Sequence, residues 1–132
     1  MTPLFTAAQR GHLSVVQLLL DRGAAVNQAK TDDGTTPLIL STQNGHLSVV
    51  QLLLDRGAIV NQAMTNGVTP LFLAVQQGHL SVVQLLLDRG AAVNQAKTDD
   101  GATPLLIAAQ EGHLSATAPR RDALLVPLLK VE

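Results

Sequence analysis

Histidine is the residue type in this 132-residue chain that most readily suggests chemistry, because a neutral imidazole can bind a metal ion or transfer a proton. The four copies are His12, His46, His79 and His113, and each lies between a glycine and a leucine. Each copy belongs to a different structural unit, and neighbouring helical units lie about 8–10 Å apart. Ligands of one metal ion must all lie about 2 Å from it. We therefore interpret the histidines as turn-stabilising residues and predict no metal site.

Paired aspartates are the second candidate, because carboxylate oxygens bind calcium. The pairs Asp32-Asp33 and Asp99-Asp100 each precede a glycine. A calcium-binding helical hand needs alternating oxygen ligands over about twelve residues and a closing glutamate, and neither segment has them. Since aspartate and glycine favour tight turns, we predict turns at both pairs.

Composition excludes several classes of function. The chain has no cysteine, so disulfides, cysteine-ligated zinc and thiol catalysis are excluded. The net charge is −1, which does not favour binding to a nucleic-acid backbone. No apolar run is long enough to span a membrane, and no signal peptide is recognisable, so we expect a cytoplasmic protein. Neither a nucleophile elbow nor a glycine-rich phosphate loop occurs, and we predict no enzymatic activity and no cofactor.

All of these residues lie within segments of the sequence that are repeated along the chain. The block GHLSVVQLLLDRGA occurs three times without a change, at residues 11–24, 45–58 and 78–91. The tripeptide Thr-Pro-Leu opens four units, at Thr2, Thr36, Thr69 and Thr103. This repetition indicates an array of similar units rather than a single domain with its own active site.

Each unit contains the signals of two helices and a loop. Thr36 can cap a helix that begins at Pro37, where the missing N–H of proline costs nothing, and that ends near Gly45. A second helix is predicted from about Leu47, with apolar residues on a broad face. Residues 58–67 are too short and rich in turn residues for another helix, so we predict a hairpin or loop. One unit cannot bury its apolar face, and neighbouring units must therefore stack.

The repeated pattern T-P-L-x-x-A-A-x-x-G-H-L-x-V-V-x-L-L-L-x-x-G-A-x-V-N resembles the ankyrin repeat. The resemblance implies an all-α solenoid of stacked antiparallel helix pairs with short β-hairpin or loop fingers, and a binding module without catalysis. We assign residues 1–115 to the array, with repeats at about 2–35, 36–68 and 69–102 and a partial repeat at 103–115. Residues 116–132 form an irregular tail, whose apolar run 123–129 either caps the last repeat or is frayed.

Two further sets of residues occupy matching positions in successive repeats. The family usually has histidine where this chain has Phe5, Ile39, Phe72 and Leu106, which form either an exposed binding stripe or, as we favour, apolar packing between helices. The resemblance also suggests hydroxylation of the finger asparagines by an asparaginyl hydroxylase, and the favoured alternative is that each asparagine bonds its own turn. These asparagines are Asn27, Asn61 and Asn94. In the second repeat Ser41 and Thr42 replace two alanines, and we expect their hydroxyls to bond helix carbonyls.

The resemblance implies that a partner binds the finger tips and the exposed ends of the first helices, which line a concave face. The corresponding positions are Gln9, Arg10, Asp32, Asp33, Thr35, Gln43, Asn44, Thr65, Asn66, Val68, Gln76, Gln77, Asp99, Asp100, Ala102, Gln110 and Glu111. Among them we expect Val68 to be an exposed apolar tip that concentrates binding energy.

The predicted partner is another protein, of basic or hydrogen-bonding character, and neither a nucleic acid nor a membrane. We expect the chain to be a monomer unless its open ends associate. The alternative is a structural spacer, or a fragment of a longer array, without a dedicated ligand. The unchanged repeats favour this alternative, because a spacer tolerates duplication.

Overall fold

The computed structural model describes residues 2–98 and 100–114, with the side chains of this set as far as Gln110. Within these residues the secondary structure consists of helices and turns, without a strand. The helices are α1 (Pro3–Arg10), α2 (Leu13–Asp21), α3 (Pro37–Gln43), α4 (Leu47–Asp55), α5 (Pro70–Gln77), α6 (Leu80–Asp88) and α7 (Pro104–Leu114). The all-α prediction is confirmed. The predicted tail, residues 116–132, lies outside the described residues, and so do both alternatives for it.

The first helix of each repeat begins as the sequence predicts. The hydroxyl of Thr36 accepts a hydrogen bond from the backbone N–H of Ile39 at 3.2 Å, and Thr69 accepts one from Phe72 at 3.2 Å. Such a side-chain cap satisfies one of the backbone donors that a helix start leaves without a partner, and it contributes about 1 kcal/mol. The repeated Thr-Pro pair therefore sets the same starting point in every repeat.

The helices stack in two rows. In the inner row α1 packs against α3, α3 against α5 and α5 against α7, while α2, α4 and α6 form an outer row. One continuous core runs between the rows and includes Leu38, Val50, Leu53, Leu71 and Leu86, which are all buried. The predicted stacking is confirmed, and no repeat has a core of its own.

The apolar series at the fourth position of each repeat is part of this packing. Phe5, Ile39 and Phe72 are at most 3% exposed, as the packing interpretation predicted. Leu106 differs and is 47% exposed. Ile39 and Phe72 belong to a cluster that includes Val68, from the end of a finger. The described residues contain no finger after α7 that could cover Leu106 in the same way.

The two hydroxyl residues of α3 are fully buried but differ in their bonding. Ser41 donates to the carbonyl of Leu38 at 3.0 Å, so its predicted bond to the helix forms, three residues back. The hydroxyl oxygen of Thr42 is buried and has no hydrogen-bond partner among the described residues. The expected bond of Thr42 to the helix is therefore absent. The third repeat has Val75 at the position equivalent to Thr42, and Val75 is buried in the same core.

Thr42→Val is expected to raise the free energy of unfolding by about 1 kcal/mol, because it removes a buried hydroxyl without a partner and keeps the shape of the side chain. Ser41→Ala serves as the control, since it removes a hydroxyl that is bonded, and no comparable gain is expected. Urea unfolding followed by circular dichroism measures both variants. An unchanged or lower stability of Thr42→Val would contradict the prediction.

Candidate functional site

A groove of about 480 Å³ lies between the first helices and the fingers, which are residues 29–35, 63–68 and 96–102. Its apolar floor includes Leu40 and Leu73. Glutamines at the same position of three successive repeats line the groove, namely Gln9, Gln43 and Gln76, and all three are exposed. The repetition of the helices therefore places one primary amide per repeat along the groove.

The groove contains part of the predicted site. The predicted residues that line it are Gln9, Asp33, Thr35, Gln43, Asn66, Val68 and Gln76. Other predicted residues are exposed but do not belong to its lining: Arg10, Asp32, Asn44, Thr65, Gln77, Asp100 and Gln110. Ala102 is buried, and Asp99 and the side chain of Glu111 lie outside the described residues.

The expected exposure of Val68 is wrong. Val68 is only 6% exposed and packs in one cluster with Ile39 and Phe72. It closes the finger, because its carbonyl accepts a hydrogen bond from the N–H of Met64 at 2.9 Å, and it is therefore directed toward the helices. Thr35 and Ala102, which end the other two fingers, are buried for the same reason. These three residues support the groove from below its surface.

The predicted turns at the aspartate pairs are confirmed where they are described. The carboxylate of Asp33 accepts a hydrogen bond from the N–H of Thr35 at 3.0 Å, and Asp100 accepts one from Ala102 at 3.0 Å. Hydrogen bonds from the Thr35 hydroxyl and N–H, with the Lys30 ammonium nearby, hold the pKa of Asp33 below its ordinary value. Asp33 therefore stays negatively charged while it holds the turn.

Backbone hydrogen bonds join each finger to the next. The N–H of Thr65 donates to the carbonyl of Asp33 at 3.0 Å, and the N–H of Thr98 donates to that of Asn66 at 2.9 Å. A Cβ atom on Gly67 would lie 2.8 Å from the backbone nitrogen of Thr98, and the φ of Gly67 is +83°. Glycine is required there because the adjacent finger approaches so closely. The fingers therefore form a connected wall of the groove.

Two lysines that the predicted site omitted lie in the groove. Lys30 and Lys97 both line it, and their side chains are 33% and 20% exposed. The ammonium of Lys97 lies 5.4 Å from the centre of the Phe72 ring, within the range of a cation–π contact. The carboxylates of Asp32 and Asp100 lie 3.9 and 3.8 Å from the two ammonium groups. The recurring segment AKTDDG was the signal that could have identified both lysines.

Two of the histidines, His46 and His79, join successive repeats. Nε2 of His46 donates to the carbonyl of Gln9 at 2.9 Å, and His79 makes the same bond to Gln43 at 3.1 Å. The His46 ring lies so close to Gly11 that a Cβ atom there would be 2.6 Å from it. The bonds of His46 and His79 are structural, but each reaches the preceding repeat rather than the histidine's own turn, which is the role that was predicted. No three histidine, aspartate or glutamate side chains in the described ranges are grouped for a metal ion.

Asn27 and Asn61, which precede the fingers, also bond a neighbouring repeat, and the prediction that each of these asparagines bonds its own turn is wrong. The Asn27 amide donates to the carbonyl of Gly57 at 3.1 Å and accepts from the N–H of Ile59 at 3.0 Å. Asn61 likewise accepts from the N–H of Ala92 at 2.9 Å. The amide therefore bonds both an acceptor and a donor of the following repeat. These partners lie so far along the chain that local turn preferences cannot indicate them.

The ion pairs at the two described outer junctions were not predicted. Nη2 of Arg56 lies 2.6 Å from Oδ1 of Asp21, and Arg89 makes the same contact with Asp55. The unchanged repetition of Asp-Arg at the helix end was the available signal. Since these pairs are partly exposed, each contributes roughly 0–1 kcal/mol, and its main effect is to fix the alignment of neighbouring helices.

Helix pairs joined by short turns, stacked through the same contacts at each junction and extended by loop fingers, define a helical-repeat solenoid. The sequence profile of the family described as "Ankyrin repeats (3 copies)" matches residues 1–64 and 59–118, and the chain belongs to the ankyrin-repeat family. Members of this family generally mediate protein–protein interaction and are typically non-catalytic. No helix in the described part of the chain is both long and apolar enough to cross a membrane.

Two curated plant proteins share a short stretch with the chain. The E3 ubiquitin-protein ligase XBAT32 of Arabidopsis thaliana is 58% identical over 36 residues, which is 27% of this chain and 7% of the relative. The probable E3 ubiquitin-protein ligase XBOS32 of Oryza sativa subsp. japonica gives the same identity and the same coverage. The matched stretch is thus about one repeat long and spans a small part of each relative.

His79→Ala is expected to lower the free energy of unfolding by about 1 kcal/mol, because it removes a hydrogen bond between repeats and the packing of the ring on Gly45. His12 is the matched control, since its ring has no hydrogen-bond partner among the described residues. His12→Ala is expected to change stability by less than about 0.5 kcal/mol. Thermal unfolding followed by circular dichroism compares the two, and equal losses would contradict the assignment of the bond.

Proposed function

We propose that the chain is a non-catalytic scaffold that binds a segment of another protein in its concave groove. The observation that carries the proposal is the row of exposed amides of Gln9, Gln43 and Gln76 beside an apolar floor. A primary amide donates and accepts hydrogen bonds, as a peptide group does. The row therefore suits an extended polypeptide that runs along the repeats.

The charges around the groove favour a particular kind of segment. The ion pairs Lys30–Asp32 and Lys97–Asp100 place carboxylates at the exposed edge and ammonium groups in the groove, so the edge suits basic side chains and the interior suits groups that accept hydrogen bonds. The chain contains no tryptophan or tyrosine, the residues that most often dominate binding energy. We therefore propose a partner with basic and hydrogen-bonding groups that is held with moderate affinity.

The similarity to ubiquitin-ligase sequences adds one element to this proposal, which is the kind of protein that the groove would hold. A scaffold of this kind within a longer ligase would hold a protein that the ligase acts on or assembles with. The shared stretch is only 36 residues long, and ligase catalysis is therefore no part of the proposal.

A structural spacer is the second candidate. The outer helices α2, α4 and α6 have one sequence, LSVVQLLLD, and the two described outer junctions have the same ion pair. This uniformity suits an element that sets a distance. A spacer requires the junctions but makes no use of the groove amides, so the two candidates differ in what the loss of those amides does.

The test compares two pairs of glutamine substitutions. The groove variant is Gln43→Ala with Gln76→Ala, and the matched control is Gln17→Ala with Gln51→Ala on the exposed surface of the outer helices. A partner captured by the unmodified chain from a cell extract and then purified is titrated against both. The groove variant is expected to weaken binding more than tenfold, or about 1.4 kcal/mol, and the control less than twofold.

Alanine favours helix, so both variants are expected to keep the circular dichroism spectrum of the unmodified chain. Equal losses in the two variants would place the binding site elsewhere. Failure to retain any specific partner would favour the spacer.

A further inference from the structure

The three fingers differ at one position that lines the groove. The residues at this position are Lys30, Met64 and Lys97. The middle finger has no ionisable side chain, whereas the first and the third finger each have one lysine and two aspartates. The charges of the fingers therefore lie at the two ends of the groove, and the middle is neutral.

The neutral middle of the groove has an apolar surface. Met64 is half-buried and packs against the cluster that contains Ile39 and Phe72. Leu40, from the first helix of the second repeat, is half-buried as well and lines the groove. The equivalent residue of the first repeat is the exposed Thr6, so this apolar surface does not extend to that end. An aliphatic side chain placed on Leu40 and Met64 would remove apolar surface from water, which favours binding.

The charged ends of the groove attract cations. Oδ2 of Asp32 lies 3.9 Å from the ammonium of Lys30, and the corresponding distance between Asp100 and Lys97 is 3.8 Å. Both distances exceed the roughly 2.7–2.9 Å of a charge-assisted hydrogen bond. The side chains of the two aspartates are 71% and 62% exposed, so a further cation can approach them from solvent. Since two aspartates and one lysine give each end a net charge of −1, a basic side chain is favoured there over an acidic one.

The distance between the two ends sets the length of a segment that reaches both. The first and the third finger are two repeats apart, and helices of neighbouring repeats pack about 8–10 Å apart, so the ends are separated by about 16–20 Å. An extended chain rises about 3.3 Å per residue, and roughly five or six residues cover this distance. Successive side chains of an extended chain point to opposite sides. A residue three positions from each basic residue therefore points toward the floor when the basic residues point toward the exposed edge.

We propose, on the basis of the binding function proposed above, that the groove selects an extended segment with an apolar residue midway between two basic residues, each three positions away. The apolar side chain lies on Leu40 and Met64, and the basic side chains pair with Asp32 and Asp100. The glutamines of the groove bond the peptide groups between them. The groove thus recognises an order of side chains as well as their chemical type.

The test uses synthetic peptides that are blocked at both ends and carry a fluorophore. The peptide GSKSTLSTKSG has the proposed order, and GSSKKLSTTSG has the same composition with both lysines directly before the leucine. Fluorescence anisotropy with the full chain is expected to show that the first peptide binds about fivefold more tightly or better. A version of the first peptide with glutamate in place of both lysines is expected to bind about fivefold more weakly. Equal or tighter binding of either comparison peptide, or no binding of the first peptide at about 1 mM, would overturn the proposal.

A variant of the middle finger tests the apolar position. Met64→Lys introduces the residue that the other two fingers have there, so the variant is expected to keep the circular dichroism spectrum of the unmodified chain. It is expected to weaken binding of GSKSTLSTKSG about fivefold or more, because it removes apolar surface and adds a charge of the same sign as the peptide. Gln51→Lys adds the same charge on the exposed surface of the outer helices and is expected to change binding less than about twofold. Equal losses in the two variants would overturn the proposal.

A second variant, Asp32→Asn with Asp100→Asn, tests the charged ends. Each asparagine keeps a carbonyl oxygen for the hydrogen bonds of its turn, as Asn66 does when it accepts from the N–H of Val68 at 3.1 Å. The variant is expected to bind the lysine and glutamate peptides equally, and a retained preference for lysine would overturn the proposal. The control Gln17→Lys with Gln51→Lys changes the net charge by the same amount and is expected to keep the preference.

The captured partner separates the two proposals. If it loses affinity for Gln43→Ala with Gln76→Ala while the peptides of different order bind equally, the proposed function is supported and the order of side chains is overturned. If neither difference is observed, both are overturned.

Discussion

The junction between successive repeats is the contact on which the rest of the structure depends. Each of the two junctions between the three complete repeats combines the packing of two helix rows with a histidine bond, an asparagine clamp and an ion pair, as at His79, Asn61 and Arg89. The apolar part supplies most of the stabilisation but is not directional. The polar contacts fix the offset and the rotation of one helix pair on the next, because each demands a defined distance and angle.

The groove is a consequence of these junctions rather than of any single repeat. A glutamine contributes one amide, and a regular row appears only because neighbouring helices are held at a constant offset. The fingers depend on the same spacing, since the carbonyl of Asp33 is within bonding distance of Thr65 only when the helices beneath are aligned. Substitutions at buried positions such as Leu53 would therefore alter the spacing of the groove amides, although no residue of the groove itself is substituted.

The parts of the structure that sequence could predict are those set by local or periodic signals. The helix starts at Thr36 and Thr69 are local caps, and the stacking follows from repetition. The partners of Asn27 and Asp21 could not be predicted in this way, because they lie 30 or more residues away in the chain. Val68 was wrongly expected at the surface because a valine at the end of a loop carries no periodic signal of burial. Its environment is decided by how the finger closes.

Identical junctions also bear on how the array can change in length. Deleting or duplicating one period within the unchanged blocks joins the same two surfaces that were joined before. The new junction again brings a histidine to a glutamine carbonyl and an arginine to an aspartate. Adding or removing one period can thus lengthen or shorten the groove by one amide at a time, while the outer helices keep the same contacts.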